Sequence, residues 1–218
     1  MMMHALGTAA HDGTSIAYVL LFTVVAMLVG RHLAGQGEPA VASLTVTLMQ
    51  ASLMLSCLMY AVSVGASAVR KGVEQSLYLL TPAAPAAARV NRVLLRALLW
   101  RCLRLWLISL AGAACIDFAV LGRLELRGPV FLLAMLMLPC AGFVLRNYAV
   151  MPARQGSIMA VVTTLLIVVA VGLQQVRPQL PWYWLGSGMA LAAVAGLCWR
   201  WRRMMALPPL LPAGRLAV

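Results

Sequence analysis

The sequence predicts an all-α, polytopic membrane protein with six transmembrane helices, and three observations support that fold class. Of the 218 residues, 63% are hydrophobic and only 10% are charged, which is more apolar surface than a soluble domain of this length can bury. The apolar residues fall into long runs, close to the roughly 20 residues that cross a bilayer. Short polar breaks between the runs carry most of the basic residues. The expected solvent is therefore the bilayer rather than water.

The apolar runs define a single transmembrane domain over residues 1–218. The first run is slightly short for a complete crossing, so its start is expected to reach back into the N-terminal tail. The second is long enough to tilt and rich in small residues that allow close helix packing. The predicted spans are 15–31, 41–68, 97–121, 129–148, 157–176 and 182–201.

Residues inside and at the ends of the later spans give further detail. Pro139 lies inside the fourth span and predicts a kink, because proline lacks the amide hydrogen of a regular helical turn. The sixth span begins with Trp182 and Trp184 and ends with Trp199 and Trp201. Tryptophan at both ends of an apolar run is typical of the two membrane interfaces.

The distribution of Lys and Arg predicts the orientation. If the loop 70–96 lies in the cytoplasm, about thirteen basic residues fall on the cytoplasmic side and about four on the other, as the positive-inside rule requires. Both termini are then cytoplasmic, and the location is the cell inner (plasma) membrane. The net charge of +12 is expected to meet anionic lipid headgroups. A nucleic-acid partner is not expected, since such proteins need a soluble basic face.

The loop 70–96 is the longest polar break in the chain. Residues 72–80 can form a short amphipathic helix, with Val73, Leu77 and Leu80 on one side. Thr81 and Pro82 end it, because the residue before a proline is disfavoured in a helix. Pro85 can open a second helix. Its basic face, Arg89, Arg92 and Arg96, leads into the third span.

Ionisable residues within the third span are the candidates for a substrate path. Arg101 and Arg104 can bind a substrate phosphate or extend to the lipid headgroups. Asp117 can be part of the path, since acids within membranes are usually functional. Alternatively, it is a helix-end residue near the outer interface, paired with Arg123 or Arg127.

No enzymatic activity or bound cofactor is predicted for this chain. It has no GxxxxGK[ST] motif for nucleotide phosphates. Its five cysteines lack the spacing of a zinc site, so no metal is expected.

The residues from Glu74 to Pro82, EQSLYLLTP, resemble a signature of ABC transporter permeases of the type-two export class. Those proteins have six spans and a cytoplasmic coupling helix between spans two and three. The resemblance implies a permease subunit that works with a second permease copy or paralogue and with a separate ABC ATPase, which binds the ATP. It implies that the ATPase contacts Val73, Glu74, Leu77, Leu80, Thr81 and Pro82.

The resemblance is incomplete, and two other functions stay open. Gln75 occupies a position that is commonly glycine in the family, and the tail 1–14 has no Lys or Arg for the basic helix that often precedes the first span. One alternative is a non-transporting assembly or scaffold subunit, in which the loop lies in the headgroups as a surface helix. The other is a lipid-modifying enzyme that uses Arg101, Arg104 and Asp117.

Overall fold

Every regular element in the described parts of the chain is helical. The computed structural model describes residues 8–36, 39–70, 87–122, 128–145, 147, 165 and 181–207. The elements are α1 (Thr8–Gly35), α2 (Pro39–Arg70), α3 (Ala87–Leu121), α4 (Gly128–Met137), a 3₁₀ helix (Leu138–Val144) and α5 (Trp182–Met205).

Three of these helices are long and apolar enough to cross a membrane. The apolar segments are Gly13–Gly35, Leu44–Ala61 and Asn91–Val120. Large apolar side chains point outward from the bundle, for example Leu28 and Leu191. A long helix that is apolar on its outward face as well as on its packed face is typical of a membrane span. The predicted all-helical class is confirmed for the described residues, and the three apolar helices support the predicted membrane location.

The helix ends follow the sequence signals. α1 begins at Thr8, so the first span does reach back into the N-terminal tail. α3 begins at Ala87, soon after Pro85, and continues unbroken through the basic residues into the apolar run. After α3, Gly122 adopts a positive φ of 68° and donates a 3.0 Å hydrogen bond to the Phe118 carbonyl. Glycine favours this C-terminal cap because it has no β-carbon.

The fourth predicted span is interrupted at its proline. The α-helical part ends at Met137, and the chain continues as a 3₁₀ helix that contains Pro139 in its first turn. The cause is the missing amide hydrogen and the clash of the ring with the preceding turn. The kink predicted from the sequence takes this form.

Helices α1, α2 and α3 pack against one another, and α4 with the 3₁₀ helix packs on α2 and α3. The main core lies among α1, α2 and α3 and contains Leu53, Leu98 and Ile116. A second cluster, with Met54 and Leu133, joins α2 and α3 to α4. α5 packs mainly on α4 and the 3₁₀ helix, so it lies on the outside of this bundle.

The directions of α4 and α5 constrain the path of the chain. Gly128, at the start of α4, lies against Trp182 at the start of α5. Gly142, near the end of the 3₁₀ helix, accepts a 3.0 Å hydrogen bond from Arg200 Nη1 near the end of α5. The two segments are therefore parallel. The predicted fifth span, 157–176, belongs to the connection between them and lies outside the described residues, except residue 165.

Candidate functional site

A cleft lined mainly by hydroxyl-bearing residues lies between α1 and α2. It has a volume of about 560 Å³, and seven of its nine lining residues carry a hydroxyl group. Polar side chains within membrane helices usually face a bundle interior or a water-filled cavity rather than lipid. The hydroxyl residues are Thr14, Ser15 and Tyr18 of α1 and Ser52, Ser56, Tyr60 and Ser63 of α2.

The α2 hydroxyls share a face because of their spacing. Ser52, Ser56 and Tyr60 are four residues apart, and Ser63 follows three residues later, which places them along one side of a helix. Ser15, near the start of α1, and Tyr60, in the second half of α2, line the same recess. The two helices therefore run antiparallel. This arrangement brings the polar start of α1 to the polar end of α2.

The serine hydroxyls of α2 already have acceptors for their hydrogens. Ser52 donates to the Leu48 carbonyl at 2.9 Å, Ser56 to Leu53 at 2.6 Å and Ser63 to Tyr60 at 2.9 Å. A hydroxyl that donates to its own helix retains its oxygen lone pairs as acceptors. This wall of the cleft therefore offers acceptors to a ligand that carries O–H or N–H groups.

Arg101 and Arg104 border the cleft. They line a small adjoining recess of about 20 Å³ together with Ser15 and Tyr60, which also line the cleft itself. Arg101 is half-buried and Arg104 is exposed. Guanidinium groups beside hydroxyls suit a ligand with an anionic group, because Arg binds carboxylate and phosphate through paired hydrogen bonds.

A seam of buried polar groups continues from the cleft between α2 and α3. The Oγ atoms of Ser56 and Ser109 are 3.2 Å apart. Further along, Gln50 Nε2 donates a 2.9 Å hydrogen bond to the Ala113 carbonyl. Gln50 Oε1 is buried without a hydrogen-bond partner among the described residues. Such a group is costly in a core, so it favours a functional rather than a packing role for this seam.

Asp117 lies at the far end of the seam. It is fully buried and follows Ser109 and Ala113 at four-residue intervals, on the same row of α3. Thirteen residues separate it from Arg104, about 20 Å along the helix. The structure thus places the two arginines together at the cleft and Asp117 apart from them. One ligand of ordinary size cannot contact both ends.

The predicted ATPase-contact residues, 73, 74, 77 and 80–82, lie outside the described residues. Within the described parts, no group of three His, Cys, Asp or Glu side chains is arranged to hold a metal ion. Comparison with protein-family models, curated proteins and solved structures gives no match.

The cleft itself was missed in the sequence. The small residues of the second span predict close helix packing rather than a cleft. The four-residue spacing of Ser52, Ser56 and Tyr60 is the signal that indicates a polar face.

Proposed function

We propose that this chain is the membrane-spanning permease subunit of an ATP-driven exporter, energised by a separate ABC ATPase. The hydroxyl-lined cleft and the polar seam behind it form the substrate path. Arg101 and Arg104 select substrates with an anionic group at the cleft, and Asp117 marks the far end of the path.

The observation that carries this proposal is a cleft lined mainly by hydroxyl-bearing residues in an apolar bundle. Polar groups are expensive within a bilayer, and a scaffold subunit has no need to line a space of about 560 Å³ with hydroxyls. An enzyme acting on lipids would need reactive groups at one depth. Arg104 and Asp117 are instead about 20 Å apart along α3.

The parallel course of α4 and α5 supports the six-span topology. Leu145, after the 3₁₀ helix, packs in a cluster with Leu197 and Trp201 near the end of α5. α5 itself starts at Trp182, at its opposite end. In the proposed topology the apolar run 157–176, which belongs to the connection between these two ends, is the fifth span. Together with α1, α2, α3, the α4 segment and α5, this makes six crossings.

The cytoplasmic loop supplies the proposed link to the ATPase. Val73, Leu77 and Leu80 form the docking face, and Glu74 meets a basic group at its rim. Closure of the ATPase dimer moves this loop and shifts the spans between inward- and outward-open states.

Affinity purification from native membranes in mild detergent tests the proposal. The tagged wild-type protein should retain a P-loop ATPase, identified by mass spectrometry. Glu74→Lys should weaken that association while membrane insertion stays normal. Glu38→Lys is the matched control, since it makes the same charge change in the turn predicted on the other side. A wild-type protein without an ATPase partner, or equal retention by both variants, would refute the coupling role.

A further inference from the structure

A second, apolar groove lies between α3 and α5, away from the hydroxyl-lined cleft. It has a volume of about 850 Å³. Its floor includes Trp100 and Leu103 of α3 and Leu197 and Trp201 of α5, and its two charged lining residues are Arg96 and Arg202. Trp100 is 63% exposed, so this groove opens toward the membrane.

The two arginines lie at the same depth. Asn91 Nδ2 of α3 donates a 3.1 Å hydrogen bond to the Leu207 carbonyl just after α5, which fixes the register of this antiparallel pair. Arg96 is five residues beyond Asn91, and Arg202 is five residues before Leu207. The apolar floor continues to Leu103, about 10 Å deeper along α3. The groove thus has a cationic rim and an apolar interior.

The neighbouring arginine on α5 is engaged elsewhere. The guanidinium carbon of Arg203 lies 5.6 Å from the centre of the Trp199 ring, a cation–π distance. Arg203 does not line the groove. The cationic rim therefore consists of one arginine from each helix, which places two positive charges at the same depth.

We propose that this groove is a binding site for an anionic glycerophospholipid. The phosphate lies between Arg96 and Arg202, and an acyl chain lies along Trp100, Leu103 and Leu197. Basic pockets between membrane helices on the cytoplasmic side suit such headgroups, and the positive-inside rule places this end of α3 there. The charge pattern, a paired cationic rim above an apolar floor, selects a lipid over an apolar helix as the occupant. This inference is independent of the transport proposal.

Brominated lipids provide the test, because bromine quenches tryptophan fluorescence at short range and two tryptophans line the groove. The full-length protein is reconstituted in phosphatidylcholine vesicles that contain a small fraction of brominated phosphatidylglycerol or brominated phosphatidylcholine. We expect the association constant for phosphatidylglycerol to exceed that for phosphatidylcholine roughly tenfold, since each arginine near the surface contributes to anionic-lipid binding.

Two double variants with the same loss of charge locate the site. Arg96→Gln with Arg202→Gln should abolish the preference for phosphatidylglycerol. Arg92→Gln with Arg203→Gln, which changes exposed arginines of the same two helices outside the groove, should retain it. Each variant is normalised to its own fluorescence in unbrominated vesicles, and circular dichroism checks that it is folded.

Three results would overturn the site. One is equal quenching of the wild type by both lipids, as expected if another part of the chain or a second copy fills the groove. Another is equal loss of preference in both double variants, which would indicate general surface charge. The third is full retention by Arg96→Gln with Arg202→Gln.

Discussion

Gly112 of α3 lies so close to Thr23 of α1 that a β-carbon at position 112 would be 2.6 Å from Thr23 Oγ1. Thr23 is held in place because its hydroxyl donates a 2.7 Å hydrogen bond to the Val19 carbonyl. The approach of α1 to α3 therefore depends on the absence of a side chain at position 112. Small residues at such crossings are typical of membrane helices, whose association relies on close packing.

Gly112→Ala should lower the free energy of unfolding by about 1–3 kcal/mol, because α1 and α3 must separate to admit the methyl group. Thr23→Ala in the same chain should restore most of that loss by removing the contact atom. Denaturant-induced unfolding in mixed micelles measures the free energies of unfolding of the wild type, the two single variants and the double variant, which together form a double-mutant cycle. Gly188→Ala is the control, because its β-carbon would meet nothing within 4 Å. Equal behaviour of the two alanine variants would contradict the close approach.

The hydroxyl-lined cleft should admit water. In a cysteine-free background, Ser52→Cys and Ser63→Cys should react with a charged thiol reagent at least roughly tenfold faster than Leu28→Cys, because the reactive thiolate forms readily only in water. Ser52 and Ser63 line the cleft, whereas Leu28 is 65% exposed on the apolar outside of α1. Similar rates at the three positions would show that the cleft is closed to solvent or that α1 is not in lipid.

Single cysteines can count the crossings. Gln36→Cys and Pro181→Cys should be labelled from one side of the membrane, and Ala153→Cys and Ala206→Cys from the other. The reason is that α4 and α5 are parallel, so the proposed six-span topology has a fifth span between them. An impermeant thiol reagent applied to intact cells and to inverted vesicles gives the sidedness. Labelling of positions 153 and 181 from the same side would exclude a span between them.

Asp117 should matter more for stability than a residue at a helix end. If Asp117 formed a surface ion pair at the interface, its removal would lower the free energy of unfolding by only about 0–1 kcal/mol. Its side chain is instead fully buried, and the residue has an interaction partner. Asp117→Ala should therefore lower the free energy of unfolding by about 1–3 kcal/mol, because it leaves the buried partner of the aspartate unsatisfied. Asp117→Asn should lower it less. Glu38→Ala is the comparison, with an expected change within about 0.5 kcal/mol.

A measurement of ATP hydrolysis distinguishes a role of Asp117 in the substrate path from a purely structural role. If the chain is the proposed permease subunit and Asp117 belongs to its substrate path, Asp117→Asn should reduce substrate-stimulated ATP hydrolysis by the complex with the ATPase at normal protein levels. Unchanged stimulation, together with a stability loss in Asp117→Ala, would restrict Asp117 to a structural role.

Local properties of the sequence were sufficient to predict the three long apolar helices. The apolar runs predicted α1, α2 and α3, because any segment that crosses lipid must satisfy its own backbone hydrogen bonds and present apolar side chains. Pro139 predicted the break after Met137 for an equally local reason, the missing amide hydrogen.

Contacts between distant residues needed the tertiary structure. The spacing of Ser52, Ser56 and Tyr60 gives α2 a polar face, but spacing along one helix does not say which helix faces it. Only the antiparallel packing on α1 turns that face into a cleft with Arg101 at its edge. Likewise, the sequence placed Asp117 near a helix end, and the packing of the bundle buried it. Periodicity reports the side of a helix on which a residue lies, whereas its neighbours depend on shape and register between helices far apart in the chain.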